Sequence, residues 1–420
     1  VEEVKENLPQ EADKVQFLSL IEPLIDSLKC GHTTFLLDEV GFSERVSGTV
    51  NGFLPIRVKE IEDKIIITQN LSEDTINIQD GFELLEINST DISEVLDQIG
   101  RLHIGSDGNN QTGEAYYSAF LLPFAYKMFF GEQDTFDLTL KNLQADTMAH
   151  TRFASPSLYD IRSNYQNRYD GSSPDETIEL EIMEDKKIGI LSVHAFSGYD
   201  PFQILFKARL KETFTQLADE KIEKLIIDVR GNRGGSIRNC QVLLGYLLPA
   251  KRSFFKEASI NPSYDQVEIE PAYKLKFNLN GIRKHPNRLE LKRWGKKLIK
   301  PKKYVFDGDV ILMTDAGSFS AASIFSSIIK SSNRAQIIGS ESGGSYFQTF
   351  AGFTKKVTLP NSKLKLNIPF VRFVHEVDES RQALDHGVIP DVEIPTKMED
   401  YFNEVDPQLE YAKEKLSKKN

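Results

Sequence analysis

Leu225-Ile226-Ile227-Asp228-Val229-Arg230-Gly231-Asn232-Arg233-Gly234-Gly235-Ser236 is a short apolar run that ends in a glycine-rich turn. An apolar run without polar alternation predicts a strand buried on both faces, and the turn leads into a predicted helix over 236–248. The same alternation extends on both sides. Ile188–Val193 reads as strand, Pro201–Leu217 as helix, Val310–Met313 as strand, 321–331 as helix and Ala335–Ile338 as strand. Strand and helix in succession imply an α/β core: a mostly parallel, helix-covered sheet. About 60 residues, 250–307, interrupt the series as an insertion.

Ahead of this core the pattern changes. Val15, Phe17, Leu18, Leu20, Ile21, Leu24, Ile25 and Leu28 recur at spacings of three and four, an amphipathic helix that stops at Cys30-Gly31-His32. From 53 to 98 come short β-rich runs, including Ile65-Ile66-Ile67-Thr68 and Asp80 to Asn88, then a helix-like Ile92–Ile99. That order is similar to the second half of a PDZ domain. The aromatic stretch Phe120–Phe130 reads as core and the polar run Ser155–Asp175 as a linker or exposed loop. The expected division is a helical segment 1–50, a PDZ-like unit 51–110, a connecting segment 111–180, the core 181–400 and a tail 401–420.

Composition narrows the function classes. The net charge of -11 argues against nucleic acid or an anionic membrane as partner, and the basic cluster Lys292, Arg293, Lys296, Lys297, Lys300, Lys302 and Lys303 reads as a solvated face. No run of 18 apolar residues predicts an integral membrane segment, and Val1-Glu2-Glu3 is unlike a signal peptide. Cys30 and Cys240, the only two cysteines, form neither a disulfide framework nor a thiolate metal site of usual spacing.

In open α/β sheets the working groups gather at the carboxyl ends of strands. Two such places stand out. The turn Gly231 to Ser236 lets backbone N–H groups face outward, as an oxyanion hole requires, although a tight strand-to-helix turn needs the same residues; it is neither a P-loop nor a dinucleotide fingerprint. After Met313-Thr314-Asp315 comes Ala316-Gly317-Ser318-Phe319-Ser320-Ala321-Ala322-Ser323 before a helix. A serine there is ordinarily an N-cap, but small neighbours admit a substrate carbonyl to its hydroxyl, and the Ala321 amide can hold an oxyanion.

These two segments, with Ile338-Gly339-Ser340-Glu341-Ser342-Gly343-Gly344 and Gly387-Val388-Ile389-Pro390-Asp391, resemble in matching order the C-terminal processing (tail-specific) serine peptidases, whose cores are ClpP/crotonase-like. The resemblance covers about 50 to 395. It implies a peptide or protein substrate, no cofactor and no metal, Ser320 as nucleophile, and oxyanion amides from Gly234 or Gly235 and Ala321. Family members with a Ser/Lys dyad carry lysine shortly after the glycine-rich segment, where this chain has Gly344-Ser345-Tyr346. A second branch, tricorn-like, uses a histidine in a Gly-His motif before the PDZ-like segment, and Gly31-His32-Thr33 fits it. His32 is then the expected base, with Glu379 favoured over Glu376, Asp378 and Asp385 as the carboxylate orienting it, or a dyad with no third member. His375 and His386 match no zinc spacing. The resemblance also implies an exported, periplasmic or cell-envelope location, with any signal or lipid anchor absent from this chain. The rival reading is a non-catalytic ligand- or peptide-binding protein on the same fold, in which either the core or the PDZ-like segment does the binding.

Overall fold

Successive side chains of a strand face opposite ways, and in Lys224–Asp228 both sides are apolar because both are covered. Leu225 and Ile227 pack beneath the helices Ile204–Asp219, Ile237–Leu247 and Ala321–Ser331, while Ile226 faces Ala412 and Leu416 of the helix Pro407–Ser417. The computed structural model describes residues 5–6, 9–35, 52–100, 105–169, 177–196, 204–263 and 269–418. The start of the helix expected from Pro201 therefore lies outside the described residues, and the segment expected as a tail supplies the helix on the second face.

The central sheet runs in the order Val392–Glu393, Gln336–Gly339, Asp309–Thr314, Lys224–Asp228, Ile188–Val193, Ile178–Met183. All neighbours are parallel except the last pair. The expectation of a mostly parallel sheet holds for this layer but not for the molecule, because two further six-stranded sheets are antiparallel throughout. Antiparallel neighbours need no helical crossover between them; hairpins such as Ile56–Ile61 with Lys64–Asn70 and Gln348–Thr358 with Lys365–His375 have short links, while other pairings join segments far apart in the chain. One sheet joins Gln348–Thr358 and Lys365–His375 to strands of the 250–307 insertion, Phe255–Ile260, Ile282–Lys284 and Leu289–Leu291. The insertion is thus packed structure, with Phe254, Phe277, Leu291 and Ile299 buried. The same sheet ends on Thr34–Phe35, which pairs with Asn367 and Leu366 and carries the His32 loop to this edge.

The third sheet holds Ile56–Ile61, Lys64–Asn70, Glu83–Ile87, Thr135–Asn142 and Thr147–Ala154. The first hairpin turns at Glu62-Asp63, both at positive φ as a two-residue type I′ turn requires. Because Glu83–Ile87 pairs with Thr135–Asn142, the β-rich unit does not stop at 110 but runs to Ala154. Between these strands the helix Gln111–Phe130 buries Leu121, Leu122, Ala125, Tyr126 and Phe129 and leaves Phe120 and Phe124 40% and 47% exposed. The polar run from Ser155 was expected to be loop, yet Leu158–Arg168 is helix. Its polar residues are spent on caps and anchors: Ser157 and Asp160 form a reciprocal capping box, and Asn164 and Arg168 donate to the carbonyls of Leu71 and Asn70.

Arg230 locks the glycine-rich turn to the C-terminal helix. Its guanidinium donates to Asp228 (2.7 Å), to Asp406 (2.6 Å) and to the Gln408 side chain (3.0 Å). Removing one member of a poorly solvated ion-pair network strands the others. Arg230→Ala is therefore expected to lower unfolding stability by about 3 kcal/mol, read by urea denaturation; a loss below about 0.5 kcal/mol would show that solvent already screens the network.

Candidate active site

Ser320 sits between the strand Asp309–Thr314 and the helix Ala321–Ser331 with φ 55 and ψ -117. Positive φ is uncommon for a residue with a side chain, and holding it costs on the order of 1–3 kcal/mol. Its hydroxyl makes no capping bond, so the ordinary role of a serine at a helix start is absent. The loop before it supplies the restraint. The Ser318 hydroxyl donates to the Val229 carbonyl (2.7 Å), Phe319 N–H donates to Asn232 O (3.0 Å), and the Ser323 hydroxyl returns to Ser318 O (2.9 Å). Asp315, half-buried and with its carboxyl pushed up chiefly by loss of solvation, accepts from Gly231 N–H (2.8 Å).

The glycine-rich turn meets this loop directly. A Cβ on Gly234 would lie 2.7 Å from Ser320 Cβ and 2.8 Å from Ala321 N. Gly234 also has φ 97, so only glycine fits on both counts. Its amide, however, donates to Asn232 Oδ1 (2.8 Å), and that engagement removes Gly234 from the expected oxyanion donors. Among the described residues the amides of Gly235 and Ala321 donate to nothing, which leaves both open to an acceptor. Asn232 is itself buried and donates to Val193 O (2.7 Å), which fixes the turn to the neighbouring strand.

His32 is brought to Ser320 across 288 residues: its Nε2 lies 3.1 Å from Ser320 Oγ. The ring stacks on Phe319 at 4.5 Å between centroids, and Asn367 Nδ2 donates to His32 O (3.0 Å). The residue is half-buried, and its Nδ1 is buried and makes no hydrogen bond among the described residues. Burial holds the imidazole down to about 4, because the charged form loses its solvation.

Glu379 is not brought to His32. It pairs with Lys256 at 2.5 Å on an exposed edge, while Asp378 accepts from Ser380 and Asp385 from Asn109. An acidic loop near the end of the chain looked equal to the task in sequence, but Asp378, Glu379 and Asp385 are each taken up by other partners. His375 is buried with Nδ1 against Tyr346 O and Nε2 against Thr349 Oγ1, and His386 meets Glu341. Among the described residues no cluster of three His, Cys, Asp or Glu could hold a metal ion. Cys30 and Cys240 are buried free thiols.

The carboxylate that does reach the site from below is Asp107, which sequence reading passed over inside Asp107-Gly108-Asn109-Asn110. It is buried, accepting from Gly31 N–H (2.9 Å) on one oxygen and Ser345 N–H (3.3 Å) on the other. Gly31 precedes His32; Ser345 follows Gly344, whose N–H donates to Ser318 O (3.4 Å). Asp107 thus ties the His32 loop to the turn that backs the Ser320 loop. Burial pushes its carboxyl up to about 6. An acid in a string of turn formers carries no sequence signal for such a role.

Residues 187–394 match Peptidase family S41, a span that holds Ser320 and both glycine-rich turns but not His32. No curated protein matches the chain. Among solved structures, mature CPAF is 16% identical with a TM-score of 0.66, covering 99% of this chain and 90% of its own. Mature CPAF complexed with lactacystin gives 16% and 0.66, over 99% and 91%. The photosystem II D1 C-terminal processing protease is 12% identical at a TM-score of 0.43, over 100% and 90%, too distant to carry an argument. The likeness to CPAF is one of fold, and it extends over the β-rich unit as well as the core. Through residues 187–394 the chain belongs to Peptidase family S41, and it is a serine-type peptidase.

Proposed function

We propose that Ser320 is the nucleophile and His32 its general base in the hydrolysis of peptide bonds in peptide or protein substrates. The observation that carries the reading is the 3.1 Å approach of His32 Nε2 to the hydroxyl of a serine held at positive φ. Neutral imidazole takes the hydroxyl proton as Oγ bonds to the peptide carbonyl carbon, and the Gly235 and Ala321 amides hold the developing oxyanion. The imidazolium then returns the proton to the departing amine, and water, deprotonated by the same nitrogen, releases the acyl group. His32 and Ser320 act as a dyad, since Nδ1 has no carboxylate among the described residues. A Gly-His base ahead of the β-rich unit, and Ser345 in place of a lysine, support a tricorn-like Ser/His branch on a ClpP/crotonase-like core. The β-rich unit is read as PDZ-like, able to take an extended peptide as an added strand.

A fluorophosphonate probe tests this reading. The parent is expected to carry the adduct on Ser320 by peptide mass spectrometry, Ser320→Ala to carry none, and His32→Ala to react about 100-fold more slowly or worse. Absence of an adduct on the folded parent would favour a non-catalytic binding protein.

Because burial holds His32 near 4, the base stays neutral well below the pH at which an ordinary histidine protonates. The labelling rate at pH 5.5 is expected to exceed half its plateau, where a histidine of ordinary basicity would leave about a tenth.

Asp107 gives a separate prediction. A carboxyl whose folded pKa is raised contributes stability below its unfolded value, and loses it as pH rises through about 6. Ionised Asp107 therefore costs about 2–3 kcal/mol at neutral pH. Asp107→Asn should remove that pH dependence from thermal unfolding between pH 4 and 7 while slowing Ser320 labelling, because asparagine supplies only one acceptor for the two amides. An unchanged labelling rate would show that the tie does not set the site's geometry.

A further inference from the structure

Arg233 lies between the candidate oxyanion amide and the aromatic helix, and the catalytic reading gives it no part. The two arginines of the turn have different surroundings. Arg230 is saturated by Asp228 and Asp406, whereas Arg233 is exposed and pairs with no carboxylate among the described residues. Its guanidinium is nevertheless held in place. It lies 4.9 Å from the centre of the Phe120 ring and 5.7 Å from that of Tyr117, within hydrogen-bonding reach of the Tyr117 hydroxyl. Tyr116 stacks parallel to Phe120 and closes against the nucleophile loop, where a Cβ on Gly317 would lie 2.6 Å from its hydroxyl. Tyr117 in turn meets Phe319, on which His32 stacks.

A guanidinium propped on aromatic faces has already given up most of the side-chain freedom that binding would otherwise cost. Its planar fork of donors matches a carboxylate, and among the described residues none is paired with it. Gly235 lies two positions further along the same turn. A substrate carbonyl held at its amide places the flanking substrate residues, spaced about 3.3 Å apart in an extended peptide, alongside Arg233.

We propose that Arg233 is a specificity-determining residue that selects substrates bearing a carboxylate within about three residues of the scissile bond. The carboxylate is either an Asp or Glu side chain or the substrate's own C-terminus. This rests on Ser320 being the nucleophile and adds to it the chemical class of the substrate.

The test uses the full chain and synthetic peptides randomised at eight positions, with cleavage sites read by mass spectrometry. Individual peptides are then compared as Glu against Gln at the enriched position, and as free acid against C-terminal amide. The readout is the ratio of kcat/KM within each pair, so that a general loss of rate in a variant cancels. The parent is expected to favour the carboxylate member of one pair by about tenfold or more. Arg233→Ala should bring that ratio to near one, Arg233→Lys should retain part of it, and Arg233→Glu should favour Lys or Arg at the same position. Preference in the Glu/Gln pair identifies a side-chain carboxylate, and preference in the acid/amide pair identifies the chain terminus. Equal cleavage of both members by a parent that labels on Ser320 overturns the proposal alone, as does a preference that survives Arg233→Ala. A folded parent that neither labels nor cleaves overturns the catalytic reading and this proposal with it.

Discussion

Ser320 and Gly234 approach so closely that a single added carbon at position 234 would sit 2.7 Å from the serine Cβ. Everything at the site depends on that contact. It brings two strand-to-helix turns from adjacent parallel strands together, and it turns the serine away from the helix it would otherwise cap. A side chain at 234 would push the turns apart and carry the Ser320 hydroxyl away from the glycine-rich turn.

Around this contact the protein spends polar groups on holding backbone. Asn232 takes the Gly234 amide, Ser318 reaches Val229, and Asp107 spans the amides of Gly31 and Ser345. Several of these groups are buried, and Asp107 is buried as a carboxylate. The stability given up there fixes a histidine whose Nδ1 meets no carboxylate among the described residues. Burial makes its imidazole less basic than a free one and keeps it deprotonated at neutral pH.

The core was legible in the sequence because its strands are buried on both faces and its glycines must tolerate positive φ, and both requirements leave few residue choices. Ser320 and His32 could be paired in the sequence because motifs fix their places along the chain, and the structure sets their side chains 3.1 Å apart. Glu379 could not be tested that way: an acidic residue in a loop reads the same whether it faces a histidine or, as here, Lys256. The Gly234 amide was misjudged because the Asn232 side chain that occupies it lies two residues away and gives no hint of folding back. The helix Leu158–Arg168 was hidden by polar residues that serve as caps and anchors, and the antiparallel sheets by pairings such as that of Glu83–Ile87 with Thr135–Asn142, which connect segments far apart in the chain.

The link from Arg230 to Asp406 and Gln408 has a consequence for the order in which the molecule can be made. Synthesis runs from the amino terminus, so the chain that will hold His32 leaves the ribosome long before Ser320, and the turn carrying Gly234 emerges before the aspartate that anchors its strand end. Until residues 406–408 have been made, Arg230 lacks two of its three partners, and the strand end that carries the glycine-rich turn is not yet tied to the helix Pro407–Ser417.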